Sequence, residues 1–124
     1  MIAQPESVDA AFKSRQILKA RPEGDNMLFA IHVMDTPNAL PRRLENYPQH
    51  RDHLNSASIT IVLAGPLSDG DDQPVGSMFV VDAHSMQEVD AFYSADPFYQ
   101  LGIWDLSTLK VNPLVKRRGW LDGF

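Results

Sequence analysis

Four stretches of strand character and two helical ones, in the order β-α-β-β-α-β, predict an α+β domain of ferredoxin-like topology with an antiparallel four-stranded sheet. Three observations carry that prediction. Met27 to Met34 is apolar on both faces apart from His32, Ser85-Met86-Gln87-Glu88 reads as a capping box, and prolines punctuate the chain at 37, 48, 66 and 97. With 124 residues, 44% of them apolar, the chain has material for one modest core.

The elements follow in order. Residues 1–26 read as an N-terminal arm, either helical or partly disordered. Ser7 is placed to cap a helix through about Arg21, with Val8, Ala11, Phe12 and Leu18 as a loose apolar stripe, before Pro22-Glu23-Gly24-Asp25-Asn26 breaks it. A translation start at Met27 would remove the arm. The domain proper spans 27–113 and begins with the Met27–Met34 strand. After the turn at Thr36-Pro37-Asn38, Leu40, Leu44, Tyr47 and Leu54 keep helical spacing, with Pro48 as the first residue of a second, bent segment. Ile59 to Ala64 is a β-branched strand expected to stop at Gly65-Pro66. A polar loop over 68–74 leads to a strand from Gly76 to Asp82. The capping box opens a helix through about Ser94, Asp96-Pro97 starts a short helical turn, and a last strand is expected from about Ile103 to Val111. Residues 114–124 form a C-terminal tail. Two helices cover one face of such a sheet, so strands apolar on both faces imply a homodimer packed through the other sheet face.

Composition removes several classes of function. There is no cysteine, which excludes disulfides, thiolate nucleophiles and Cys-bound metals. The formal charge of -5 argues against nucleic acid as a partner, and Lys116-Arg117-Arg118 is too short a basic cluster to reverse that. No stretch is long and apolar enough for a membrane span. The first residues lack the basic flank and apolar run of a secretory signal, so a cytoplasmic location is the default expectation. No Gly-x-Ser-x-Gly elbow or phosphate-cradling glycine loop is present, and His50-Arg51-Asp52-His53 lacks a third metal ligand.

The residues left to carry chemistry are few. Projected at about 100° per residue, Leu40, Leu44, Tyr47 and Leu54 define a buried stripe, with Arg43 and His50 together on one flank. His53 falls further toward solvent. A basic residue and an imidazole there can line the rim of a pocket; equally, Arg43 can snorkel while His50 bonds backbone or water. Asp96 before Pro97 is a normal N-cap. A cap uses one carboxylate oxygen and leaves the other free. Held against His50, it would fix the tautomer and orientation of a general base. His32 shares a sheet face with Leu28, Ala30 and Met34, either lining the dimer cleft or sitting as a satisfied core histidine.

Taken together, Met27-Leu28-Phe29-Ala30-Ile31, Arg43-Leu44-x-x-x-Pro48-x-His50, Ala64-Gly65-Pro66-Leu67 and Ala95-Asp96-Pro97-Phe98 resemble the YciI-like (YCII-related) family in order and spacing from about Met27 to Pro113. The resemblance implies a ferredoxin-like dimeric α/β barrel. It also implies an active-site pair at His50 and Asp96, an arginine at Arg43, and cofactor-free work on small cyclic or aromatic molecules, of lyase, dehydrohalogenase or isomerase type. Two features depart from the family pattern: the arm, and Tyr47 where a basic residue often stands. The expected function is therefore a small cofactor-independent enzyme. His50 would move the proton, Asp96 would orient it, and Arg43 would attract an anionic substrate or intermediate, with His32 and Tyr47 also lining the substrate site. The alternatives are a non-catalytic dimeric module that binds a small metabolite and an interaction protein using the arm and tail.

Overall fold

The computed structural model describes residues 26–119, so the expected arm helix and the end of the tail lie outside the described residues. The elements are β1 (Met27–Met34), α1 (Leu40–Glu45), α2 (Tyr47–Ser56), β2 (Thr60–Ser68), β3 (Pro74–Ala83), α3 (Met86–Ser94), α4 (Pro97–Gln100) and β4 (Lys110–Leu114), with a 3-10 turn at Leu106–Thr108. They form one four-stranded sheet in the order β2-β3-β1-β4, antiparallel throughout. This is the α+β, ferredoxin-like arrangement expected from the order of strands and helices.

Alternation along the strands divides the sheet into two unlike faces. On β1, Phe29, Ile31 and Val33 point into the core with Phe79 and Val81 of β3, Val89 and Phe92 of α3, and Phe98 of α4. The other face carries Leu28, Ala30, His32 and Met34, with Met78 and Lys110 opposite His32. No helix of the described chain packs there. Leu63, Met78 and Leu114 remain exposed on that face.

The helical caps form as read. Ser85 Oγ accepts from Glu88 N, and Glu88 Oε1 accepts from His84 N in return. Three expectations change. The buried residues of α1 and α2 are Arg43 and His50, whereas Leu44 and Tyr47 are 58% and 50% exposed. The break at Asn46 re-phases the second helix, and buried polar partners draw the Arg43–His50 flank inward. Second, β2 does not stop at Gly65-Pro66 but pairs through to Ser68. It is an edge strand, where a missing N–H need not interrupt a ladder. Third, no strand begins at Ile103. Asp105 caps the 3-10 turn, and Thr108 Oγ1 replaces a strand partner for the backbone N–H of Met34 before β4 starts at Lys110.

Gly76 has the least room for a side chain among the described glycines. A Cβ there would stand 2.5 Å from the Val33 carbonyl oxygen and 3.1 Å from Met34 Cα. Both are backbone atoms of the central strand and cannot swing away. Gly76→Ala is expected to lower the unfolding free energy by about 1–3 kcal/mol, read from the urea denaturation midpoint at unchanged slope.

Candidate active site

The core side of the sheet closes over a set of polar groups that the helices deliver to one place. Proline at the start of α2 sets the helix direction, and the next turn carries His50 inward, where it is 6% exposed. Asp96, 1% exposed, stands at the N-cap of α4. His50 Nδ1 lies 2.9 and 2.8 Å from the two carboxylate oxygens of Asp96, and the Phe98 backbone N–H donates to Oδ1 at 2.8 Å. Asp96 thus caps a helix and holds an imidazole with the same carboxylate. Because a carboxylate only accepts, Nδ1 carries a hydrogen, and in the neutral form of the ring Nε2 presents a lone pair. Among the described residues nothing hydrogen-bonds Nε2.

Aromatic rings enclose the imidazole. Phe98 stacks parallel to it, with centroids 4.1 Å apart and planes 6° from coplanar. Phe79 and Trp104 lie 6.3 and 6.4 Å away, and the exposed ring of Tyr47 lies 6.1 Å away with the Arg51 guanidinium over it.

A second polar group lies against the first. Arg43 Nη1 donates to Asp35 Oδ1 and Oδ2 at 2.8 and 2.9 Å, and Nη2 donates to Ser77 Oγ at 2.9 Å. Trp104 Nε1 also donates to Ser77 Oγ, at 3.1 Å. The guanidinium sits over Phe98, 4.7 Å from its centroid. Both side chains of the ion pair are only 6% exposed. Burial pushes the Asp35 carboxyl above its ordinary range, against the charge and hydrogen bonds of Arg43 and the more distant charge of His50, which pull it down. A carboxyl whose folded pKa is raised binds its proton more tightly in the fold than in the unfolded chain. Its contribution to stability is therefore lost as the pH rises from the unfolded value of 3.8 through the higher folded one.

Of the residues singled out from the sequence, His50, Asp96 and Arg43 meet around Phe98, and Tyr47 stands beside His50 at the surface. His32 does not join them: it is exposed on the opposite face of the sheet. That face holds a groove of about 200 Å³, with one leucine or valine from each strand (Leu28, Leu63, Val80, Leu114) as its floor and residues 115–119 as its wall. His53, expected toward solvent, is half-buried and donates from Nε2 to the Phe92 carbonyl at 2.9 Å. Asp35, Ser77 and Trp104 were not singled out from the sequence. The signal was there for the first two, since Asp35 continues the Phe29-Ile31-Val33 register and Ser77 that of Phe79 and Val81. A polar residue at a core register needs a partner.

The model of the YCII-related domain matches residues 27–111, and the chain belongs to that family. Aspercryptin biosynthesis cluster protein B of Emericella nidulans is 32% identical over 90 residues, covering 65% of this chain and 58% of that protein, so the match spans less than two thirds of the curated relative. Among solved structures, 5-chloro-2-hydroxyhydroquinone dehydrochlorinase from Burkholderia phenoliruptrix AC1100, in complex with 2,5-dihydroxybenzoquinone, is similar with 32% identity and a TM-score of 0.61. That likeness covers 69% of this chain and 91% of the dehydrochlorinase.

Removing one member of a buried ion pair strands the other, whereas replacing both with apolar groups is often neutral. Asp35→Ala is therefore expected to cost about 3–5 kcal/mol. Asp35→Ala combined with Arg43→Met is expected to recover most of that loss, the difference being read from a double-mutant cycle in urea.

Proposed function

We propose that this YCII-related protein is a cofactor-independent enzyme that moves a proton on a small aromatic or cyclic substrate, with His50 as the base and Asp96 as the group that holds it. One observation carries the reading: a buried imidazole whose Nδ1–H is fixed by a carboxylate and whose Nε2 has no hydrogen-bond partner among the described residues. A buried nitrogen without a hydrogen bond is costly in a merely structural histidine. In an acid–base catalyst it is the working atom.

The chemistry balances without a redox partner. His50 Nε2 takes a proton from a hydroxyl or from carbon beside a carbonyl. The ring carbon bearing the halogen takes up that proton and becomes tetrahedral beside a ring carbonyl. Loss of a second hydroxyl proton to the freed Nε2 then drives out the halide, a dehydrohalogenation with net loss of HX. Where the carbon that takes up the proton bears no leaving group, the result is isomerisation. Asp96 faces the imidazolium formed in the first step and lowers its energy. The likeness to a dehydrochlorinase favours the first outcome and a hydroxylated aromatic substrate. The aromatic enclosure of His50 suits a flat ring, and Tyr47, half exposed, is the ring of that enclosure at the surface.

The open sheet face belongs to the same reading. Leu63 and Val115 are 55% and 56% exposed, and Met78 and Leu114 are 37% and 41% exposed; a second copy packed through this face would cover them and give a homodimer. Leu63→Glu is expected to convert a dimer to monomers in analytical ultracentrifugation. Wild type sedimenting as a monomer at micromolar concentration would remove the dimer from the proposal.

The activity is tested with purified protein and 5-chloro-2-hydroxyhydroquinone, following chloride release. Wild type is expected to turn over, and His50→Ala and Asp96→Asn are expected to lower kcat/KM by about 10²–10⁴. Saturable binding of 2,5-dihydroxybenzoquinone with no turnover of hydroxylated chloroaromatics or lactones would replace the enzyme by a metabolite-binding module.

A further inference from the structure

We infer that Asp35 is a positioning residue for the imidazole of His50, acting through Arg43 and Phe98. The inference rests on the reading of His50 as the working base, and it assigns Arg43 an interior task in place of the capture of an anionic substrate.

Asp35 follows β1 directly, in the register that points Phe29, Ile31 and Val33 into the core. Its side chain is 6% exposed, so it is not a solvated turn residue. Both oxygens are spent on one nitrogen of Arg43. The other terminal nitrogen is held by Ser77, whose oxygen also accepts from the Trp104 indole. The guanidinium is thereby tied to the end of β1 and the core face of β3, and through Ser77 to the segment before β4.

A long arginine side chain near a surface ordinarily extends its charge into water. Arg43 is 5% exposed because Asp35 supplies the counter-charge inside. Held there, it lies over Phe98, the ring on which His50 stacks. Phe98 has no exposed surface, so its tilt is set entirely by what touches it. The guanidinium over the ring and the imidazole stacked parallel to it both bear on Phe98 and hold its tilt. Neutralising Asp35 leaves a cation without a partner in the core. The cation then turns toward water, Phe98 loses its cover, and the imidazole plane is free to tilt.

The test is made on the resting protein, with isotope-labelled histidine observed by NMR. In wild type the ring protons of His50 are expected upfield of those of exposed His32, because they lie over the face of Phe98, and a His50–Phe98 cross-relaxation signal is expected. In Asp35→Asn the His50 signals should move toward the His32 positions and the cross-relaxation should weaken. The His53 signals, set by Phe92 on α3, should stay in place and report that the fold persists. Asp35→Asn with Arg43→Met, which leaves no buried charge, should release His50 in the same way and decides the matter if the single variant does not fold. Ser77→Ala, which removes only one acceptor of the guanidinium, should move His50 part of the way. His50 signals that keep their wild-type positions in these variants, with His53 also unmoved, would overturn the inference. Such a result leaves the His50–Asp96 chemistry intact. Conversely, inactivity of wild type toward every substrate leaves the positioning result standing.

Discussion

The carboxylate of Asp96 is the constraint on which the rest of the site depends. One of its oxygens closes the first turn of α4, and the group as a whole holds Nδ1 of His50, which arrives from α2. A single buried side chain therefore sets both where α4 begins and where the imidazole stops. The helix α4 has only four residues and cannot persist alone. Its cap, its proline and the burial of Phe98 hold it in place, and Phe98 is in turn the surface on which His50 rests. The local rule for starting a helix and the tertiary rule for placing an imidazole are satisfied by the same two oxygens.

The sheet sorts these groups from everything else. Its alternation sends Asp35, Ser77 and Phe79 to the helix side, and His32, Met78 and Lys110 to the open side. The two faces then do different physical work. The helix side encloses a guanidinium and two carboxylates, each of which has partners there, since a buried charge without a partner is not tolerated. The open side presents apolar side chains from all four strands and one imidazole at solvent, a surface suited to meeting another surface. His32 belongs to the second task by register alone, because moving it to the site would require slipping β1 by one residue and turning Phe29, Ile31 and Val33 outward.

How much of this was legible in the sequence follows from the same distinction. The order of elements, the capping box at Ser85, the restart at Pro48 and the cap at Asp96 all obey local rules, and they stand in the fold as read. The flank shared by Arg43 and His50 was visible in a helical projection, but its inward orientation was not. A projection ranks faces by apolar content, and here Leu44 and Tyr47 lost to polar residues with buried partners. Those partners are remote in the chain, so no local pattern reports them. The continuation of β2 through Pro66 and the late start of β4 failed for a similar reason. An edge position excuses the proline, and a threonine side chain far from Met34 takes over its backbone bonds. Asp35 is the instructive case. Its place in a core-facing register was readable, and a charge at such a place announces a partner of opposite sign.

The geometry around His50 also explains why two contacts on one ring suffice to aim it. An imidazole lone pair lies in the plane of the ring. A stacked neighbour fixes the direction of the plane's normal but leaves the ring free to rotate within the plane. A hydrogen bond to Nδ1 fixes that rotation but by itself allows the ring to rock about the bond. Phe98, 6° from coplanar, and Asp96, 2.8 Å from Nδ1, each remove the freedom that the other leaves. Nε2 then points in one direction without a hydrogen bond of its own among the described residues. General-base catalysis gains from such fixed aim, because a proton moves efficiently only along a short, well-directed line. Asp96 is tied down by the backbone of Phe98, and Phe98 by burial and by Arg43. The aim of Nε2 is thus inherited from the packing of the core.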